Sequence, residues 1–383
     1  MGAFFAVTLL ALLTLHQSRA NPQHCTILAE RTNLTQENAL ENALVTRDLT
    51  RRWFGSSNSR PGRNRGPQRV QISVPLEWRG FRWVAPIDIG TPAKRFYVII
   101  DTNSANFWIK CDMSYSSSRR FIRPRIMYQD YINIGGLREQ GRFLTPQFLW
   151  KMSYDGILGL RLSASRLYSL PKGIPFVPNF LQKYVDPPVF SLYLGSTNPQ
   201  LHIGEPQLDY YVGGIEYHNV TNPSRWEIGP AIMSATDGVT EAYRISGIKT
   251  VFDSSIYGII GPPSDVKKIY KALREGKPTS EGPYTFPCNR LIEIHLKWND
   301  GSPWIITHHQ FNLGQVGPTS CAGIIQPGPM FSKGWRIGTI FLATVYTVYD
   351  SGMPRMGIAV LPQHLAAPPP YETAPPLYEA IPI

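Results

Sequence analysis

The sequence predicts a mostly-β chain built as two lobes. Three observations carry that reading. First, an apolar strand, Val98-Ile99-Ile100, runs straight into Asp101 and a polar turn, Thr102-Asn103-Ser104. Second, the pattern returns later as Thr250-Val251-Phe252-Asp253-Ser254-Ser255, which points to a duplicated chain that brings two carboxylates together. Third, charged residues make up only 17% of the 383 residues, while Gly (32) and Pro (34) are plentiful. That balance suits many short strands and turns better than helices, and the length allows two lobes of ordinary domain size.

From the start of the chain, the apolar run Ala3–Leu15 followed by Ser18-Arg19-Ala20 reads as a signal peptide over residues 1–20, although it lacks a basic n-region. The competing reading is a buried helix. No later stretch is long and apolar enough to span a bilayer, so the expected destination is secretion or the lumen of the secretory or endolysosomal route. Residues 21–69 form a basic arm in which Arg51, Arg52, Arg60, Arg63, Arg65 and Arg69 have no acidic residue among them. It reads as a removable prosegment or as a protease-sensitive disordered arm, with Arg51-Arg52 as a natural nick site. Nucleic-acid binding by the arginines is set aside because of the leader that precedes them. The net charge is +11, and from Val70 onward 29 basic and 23 acidic residues still leave +6.

The N-terminal lobe is expected over residues 70–199, carrying Asp101, and the C-terminal lobe over 200–362, carrying Asp253. In the first, Phe180, Leu181 and Tyr184 are spaced as on a short surface helix, and Phe190–Leu194 alternates like a strand. In the second, Ser264–Leu273 reads as a helix. Ser264 is its expected cap, Val266, Ile269, Tyr270 and Leu273 its apolar face, and Gly276 its stop. Asn33-Leu34-Thr35 and Asn219-Val220-Thr221 are glycosylation sequons. The Pro-rich tail, 363–383, holds Pro368-Pro369-Pro370-Tyr371 and Pro375-Pro376-Leu377-Tyr378, both of the P-P-x-Y form read by WW-domain grooves. A solvated extension is the other reading of this tail. No CxxC or His-rich spacing marks a metal site, adjacent His308-His309 included, and no cofactor is expected.

The segment Phe96–Ile109 and its repeat resemble the paired apolar-apolar-Asp-Thr/Ser-Gly-Thr/Ser turns of the pepsin-like aspartic proteases. Further resemblances run in the family's order: Pro86–Pro92 before the first Asp, Asp155–Leu160 within the first lobe, and Trp335–Phe341 with Val345–Asp350 in the second. The resemblance implies the bilobal pepsin-like fold, a peptide or protein substrate in the interlobe cleft, and Asp101 and Asp253 as a dyad sharing one proton and one water. Pepsin, the family's namesake, is the standard example of such like-charge pairing. The resemblance also implies that Thr102 and Ser254 cross-brace the turns, that the Ser104 hydroxyl orients Asp101, and that Trp108 packs near the flap. Cys288 and Cys321 match a second-lobe disulfide of the family. Cys111 matches the first member of an early pair, and its partner is Cys25, another chain or none.

The departures lie at the same turns. Asn103 and Ser255 stand where the family has glycine, and Ile256 replaces a hydroxyl residue. Between Trp108 and Asp130 the text is short and basic, with neither Tyr115 nor Tyr128 in a Y-G-T/S-G setting. The flap is therefore expected to be deleted; a misjoined gene model would leave the same text. Two outcomes stay open on these residues: an endopeptidase with impaired activity, and an inactive peptide-binding or adaptor protein of the same fold.

Overall fold

In the computed structural model, the residues described are 71–110, 126–145, 154–162, 180–181, 184–237, 240–273, 283–329 and 334–366. The expected signal peptide and prosegment, Asn33, Cys25, Cys111, Gly276 and the P-P-x-Y motifs all lie outside them. So do residues 111–125, where the flap would have to be sought.

Strands dominate, as expected, and three sheets set the architecture. Seven strands build the first lobe's sheet in the order Glu77–Arg79, Arg82–Ile89, Lys94–Asp101, Gly156–Gly159, Phe107–Ile109, Leu137–Thr145 and Ile126–Ile134. A further pairing of Arg82–Ile89 with Ile126–Ile134 curls this sheet back on itself. The second lobe's seven-stranded sheet runs Trp304–Ile306, Glu293–Trp298, Glu227–Thr236, Glu241–Phe252, Trp335–Ile337, Ile259–Gly261 and Ile325–Pro327. A six-stranded antiparallel sheet draws on both ends of the described residues: Ile72–Pro75, Gln200–Ile203, Val189–Tyr193, Val345–Asp350, Arg355–Val360 and Val212–Asn219. Gln200–Ile203, just past the expected lobe boundary, pairs with Val189–Tyr193 from before it, so this sheet ties the two halves together.

The strand anticipated at Phe190–Leu194 forms as Val189–Tyr193, with every residue buried. Phe190 and Leu192 join the main core, while Val189 and Tyr193 pack with Tyr346 and Val348 on the other face. Phe180, Leu181 and Tyr184 do lie on a helical turn, with Phe180 and Leu181 buried. The second-lobe helix spans Pro263–Ala272 and buries Val266, Ile269 and Tyr270, with Leu273 at its C-cap also buried. Its start differs from expectation. Pro262 is the N-cap and no side chain caps the end, so Ser264 sits inside the first turn. Proline at the first helical position makes that start inexpensive, because its missing N–H would have lacked a partner anyway. The Cys288–Cys321 disulfide is present, with the Cα atoms 5.0 Å apart.

Candidate active site

Each lobe delivers its aspartate by the same device. Lys94–Asp101 pairs in parallel with Gly156–Gly159, Asp101 opposite Gly159. Glu241–Phe252 pairs in parallel with Trp335–Ile337, Phe252 opposite Ile337, so Asp253 stands opposite Gly338. The Asp253 N–H donates to the Ile337 carbonyl at 2.9 Å, and the Leu160 N–H donates to the Asp101 carbonyl at 2.8 Å. Both glycines admit the returning turn closely: a Cβ on Gly159 would lie 2.5 Å from the Asn106 carbonyl oxygen, and one on Gly338 would lie 2.3 Å from that of Gly258.

Beneath the carboxylates the turns are laced together. Thr102 Oγ1 donates to the Phe252 carbonyl at 2.7 Å, and Ser254 Oγ to the Ile100 carbonyl at 2.6 Å. In return, the Ser254 N–H donates to Thr102 Oγ1 at 3.0 Å and the Thr102 N–H to Ser254 Oγ at 3.1 Å. Thr102 and Ser254 are both buried, so these four bonds form where water does not compete.

Asp101 is 7% exposed and Asp253 is fully buried. Asp101 Oδ1 accepts the backbone N–H groups of Asn103, at 2.8 Å, and Ser104, at 2.9 Å. Burial pushes the Asp101 carboxyl up to about 7, and the neighbouring charge of Asp253 adds to the rise; the two N–H groups and the Arg336 cation pull the other way. Asp253 is surrounded by donors. Ser255 gives its N–H at 3.0 Å and its hydroxyl at 2.6 Å to Oδ1, the Asn103 side-chain amide donates to Oδ2 at 3.1 Å, and Arg336 Nη1 reaches the same oxygen at 3.3 Å.

Asn103 therefore spans the pair, with its backbone on one carboxylate and its amide on the other. Neither Asn103 nor Ser255 has a positive φ, so the side chains that replace the family's glycines cost no left-handed strain. Ile256 carries no hydroxyl, and the hydroxyl that reaches Asp253 comes from Ser255, one residue earlier. Ser104 reaches Asp101 through its backbone N–H, and its Oγ accepts the Asn106 N–H at 3.4 Å. Trp108 is buried with Val84, Ile99, Leu144, Tyr154 and Ile157. Asn219 is exposed at the end of its strand.

A family model for eukaryotic aspartyl protease matches residues 82–121 and 124–361. The chain belongs to the eukaryotic aspartyl protease family. It is 26% identical to cathepsin D of Gallus gallus over 329 residues, covering 73% of this chain and 80% of that protein. Cathepsin D of Homo sapiens gives 26% over 340 residues, with the same shares of 73% and 80%. An aspartic protease of Phaffia rhodozyma is 27% identical over 319 residues, covering 72% of this chain and 76% of its own.

Within this aspartyl protease frame, Arg336 is the residue that sequence reasoning passes over. It lies in the stretch that carries the second-lobe resemblance, between Trp335 and Ile337. The available signal is an arginine interrupting a short apolar strand just before a glycine. No helix among the described residues is long and apolar enough to cross a membrane.

Proposed function

We propose that this protein is a secreted aspartic endopeptidase homologue whose Asp101/Asp253 dyad is impaired for turnover while its cleft still receives peptides. The observation that carries the reading is the Asn103 bridge, in which backbone N–H and side-chain amide engage both carboxylates. Peptide hydrolysis by such a dyad needs one carboxylate to take a proton from a water held between the two. On Asp253, Oδ1 is occupied by Ser255 and Oδ2 by Asn103 and Arg336, which leaves poor purchase for that water. Placement matters steeply here: a displacement of about 1 Å costs on the order of a hundredfold in rate. The buried, cross-braced turns support retention of the binding frame, because nothing in that lattice depends on catalysis.

The apolar leader over 1–20 and the exposed Asn219 sequon support the secretory route. The arginine-rich arm over 21–69 suits a removable prosegment whose cations meet the dyad's negative charge.

The test measures cleavage of an acid-denatured protein, and binding of an apolar peptide, by chain lacking residues 1–69, with Asp101→Ala as control. Binding with turnover at or near the Asp101→Ala background is expected. Robust cleavage that disappears in Asp101→Ala overturns the impairment and makes the protein a working endopeptidase.

A further inference from the structure

The two lobes repeat one another around the dyad but differ at a charged position beside it. Matching the registers, with Asp101 opposite Gly159 and Phe252 opposite Ile337, makes Ile157 and Arg336 counterparts. Ile157 is 3% exposed and packs among Val84, Ile99, Trp108 and Leu144, as a residue of such a strand should. Arg336 instead turns its guanidinium onto Asp253 Oδ2 at 3.3 Å, with its side chain 21% exposed and that of Asp253 fully buried. The duplication thus places a cation against one carboxylate of the pair and a hydrocarbon at the matching point of the other.

We propose that Arg336 is a positioning residue that fixes the negative charge of the pair on Asp253, so that the pair's proton is carried by Asp101 alone. This rests on the reading of Asp101 and Asp253 as the reacting dyad, and it concerns which partner holds the proton, whatever the turnover.

The described groups facing Asp253 favour this assignment. From its own turn, Ser255 supplies an N–H and a hydroxyl, and from the opposite turn Asn103 supplies an amide. Arg336 brings a full positive charge from the strand Trp335–Ile337. Tyr349, on Val345–Asp350, feels the charge of Asp253, and burial holds its phenol neutral. Four donors on two oxygens suit a carboxylate and leave a carboxylic acid little to donate to. Asp101 receives two donors, both on Oδ1. A fully buried carboxylate is costly unless it is paired, and Arg336 is the cation that pairs with Asp253 rather than with Asp101.

The consequence is a division of labour set by sequence. In a symmetric dyad either carboxyl can hold the proton. Here Asp101 is fixed as the acid and Asp253 as the ionised partner before any substrate arrives. The pair should titrate as one coupled unit with its proton localised.

The test is carboxyl-carbon NMR on aspartate-labelled protein across pH 4 to 8, in wild type, Arg336→Ile and Arg336→Gln, with signals assigned through Asp101→Asn and Asp253→Asn. Arg336→Ile installs the counterpart residue. Arg336→Gln keeps volume and donors without charge, so it decides the question even where Arg336→Ile does not fold. In wild type, proton uptake near pH 7 should shift the Asp101 signal alone. In the variants the shift should be divided between the two carboxyls. A divided shift in wild type, or a shift confined to Asp101 in the folded variants, overturns the proposal. Neither result depends on whether wild type cleaves peptides, so failure here and failure of the impairment reading are distinguishable.

Discussion

At the scale of single residues, Asp101 is a buried acid whose proton affinity is raised by its surroundings, and that has a thermodynamic consequence. Its carboxyl stands at about 7 in the folded chain against 3.8 ordinarily. Between those values the folded state binds a proton that the unfolded state has lost. The contribution is therefore fully present below the unfolded value and is lost as pH rises through 7. By linkage, burial beside Asp253 raises the proton affinity of the folded state, so stability falls as pH rises across this window. Thermal denaturation from pH 4 to 7 should show wild type losing stability with rising pH more steeply than Asp101→Asn, which has no proton to lose. Equal slopes for the two would contradict the assignment. At this scale the sequence is most informative about Asp101 and Asp253, because the same apolar strand ending in Asp plus a hydroxyl occurs twice, and about Thr102 and Ser254 through the family resemblance of those turns. It is least informative about Asn103, Ser255 and Arg336. Their identities are plain, but which oxygen each reaches depends on strand register and on the opposite lobe, and no local pattern encodes either.

At the scale of elements, each aspartate depends on a glycine across a parallel strand pair. Gly338 is the sharper case: its Cβ would meet the Gly258 and Ile256 carbonyl oxygens at 2.3 and 2.6 Å, both backbone atoms that cannot swing aside. Gly338→Ala should destabilise the fold by about 1–3 kcal/mol, the usual cost of overpacking. Gly214→Ala, where an added Cβ meets nothing within 4 Å, should stay within about 0.5 kcal/mol of wild type. Urea denaturation of the two variants checks this, and a Gly338→Ala protein as stable as Gly214→Ala would contradict it. The helix Pro263–Ala272 shows the partial legibility of elements. Its buried face follows from periodicity, whereas its start follows from two prolines whose fixed φ opens a helix without a side-chain cap.

At the scale of the whole molecule, the lobes are joined both by the six-stranded sheet and by a seam at the active site. Trp226, fully buried, donates its indole N–H to the Leu160 carbonyl at 2.7 Å, and Arg161 Nε reaches the Ser224 carbonyl at 2.6 Å. Phe190 stacks on Tyr349 with ring centroids 4.5 Å apart, and Trp226 meets both rings edge-on. The repeated motif makes two lobes legible. The shared sheet is not, since its strands come from residues as distant as Ile72 and Val360 and pair without any local signal. The lacing bonds of the two turns come from Thr102 and Ser254, so substitution at Asn103 and Ser255 can be separated from collapse of the fold. The central claim is that the side chains of Asn103 and Ser255, by occupying the dyad, limit turnover. The direct measurement is the rate of apolar-peptide cleavage at acid pH by chain lacking residues 1–69, comparing wild type, Asn103→Gly with Ser255→Gly, and that double variant carrying Asp101→Ala. The account predicts a rise of at least about tenfold in the double variant, within the roughly hundredfold that an ångström of misplacement costs, and complete loss with Asp101→Ala. A folded double variant no faster than wild type would contradict it.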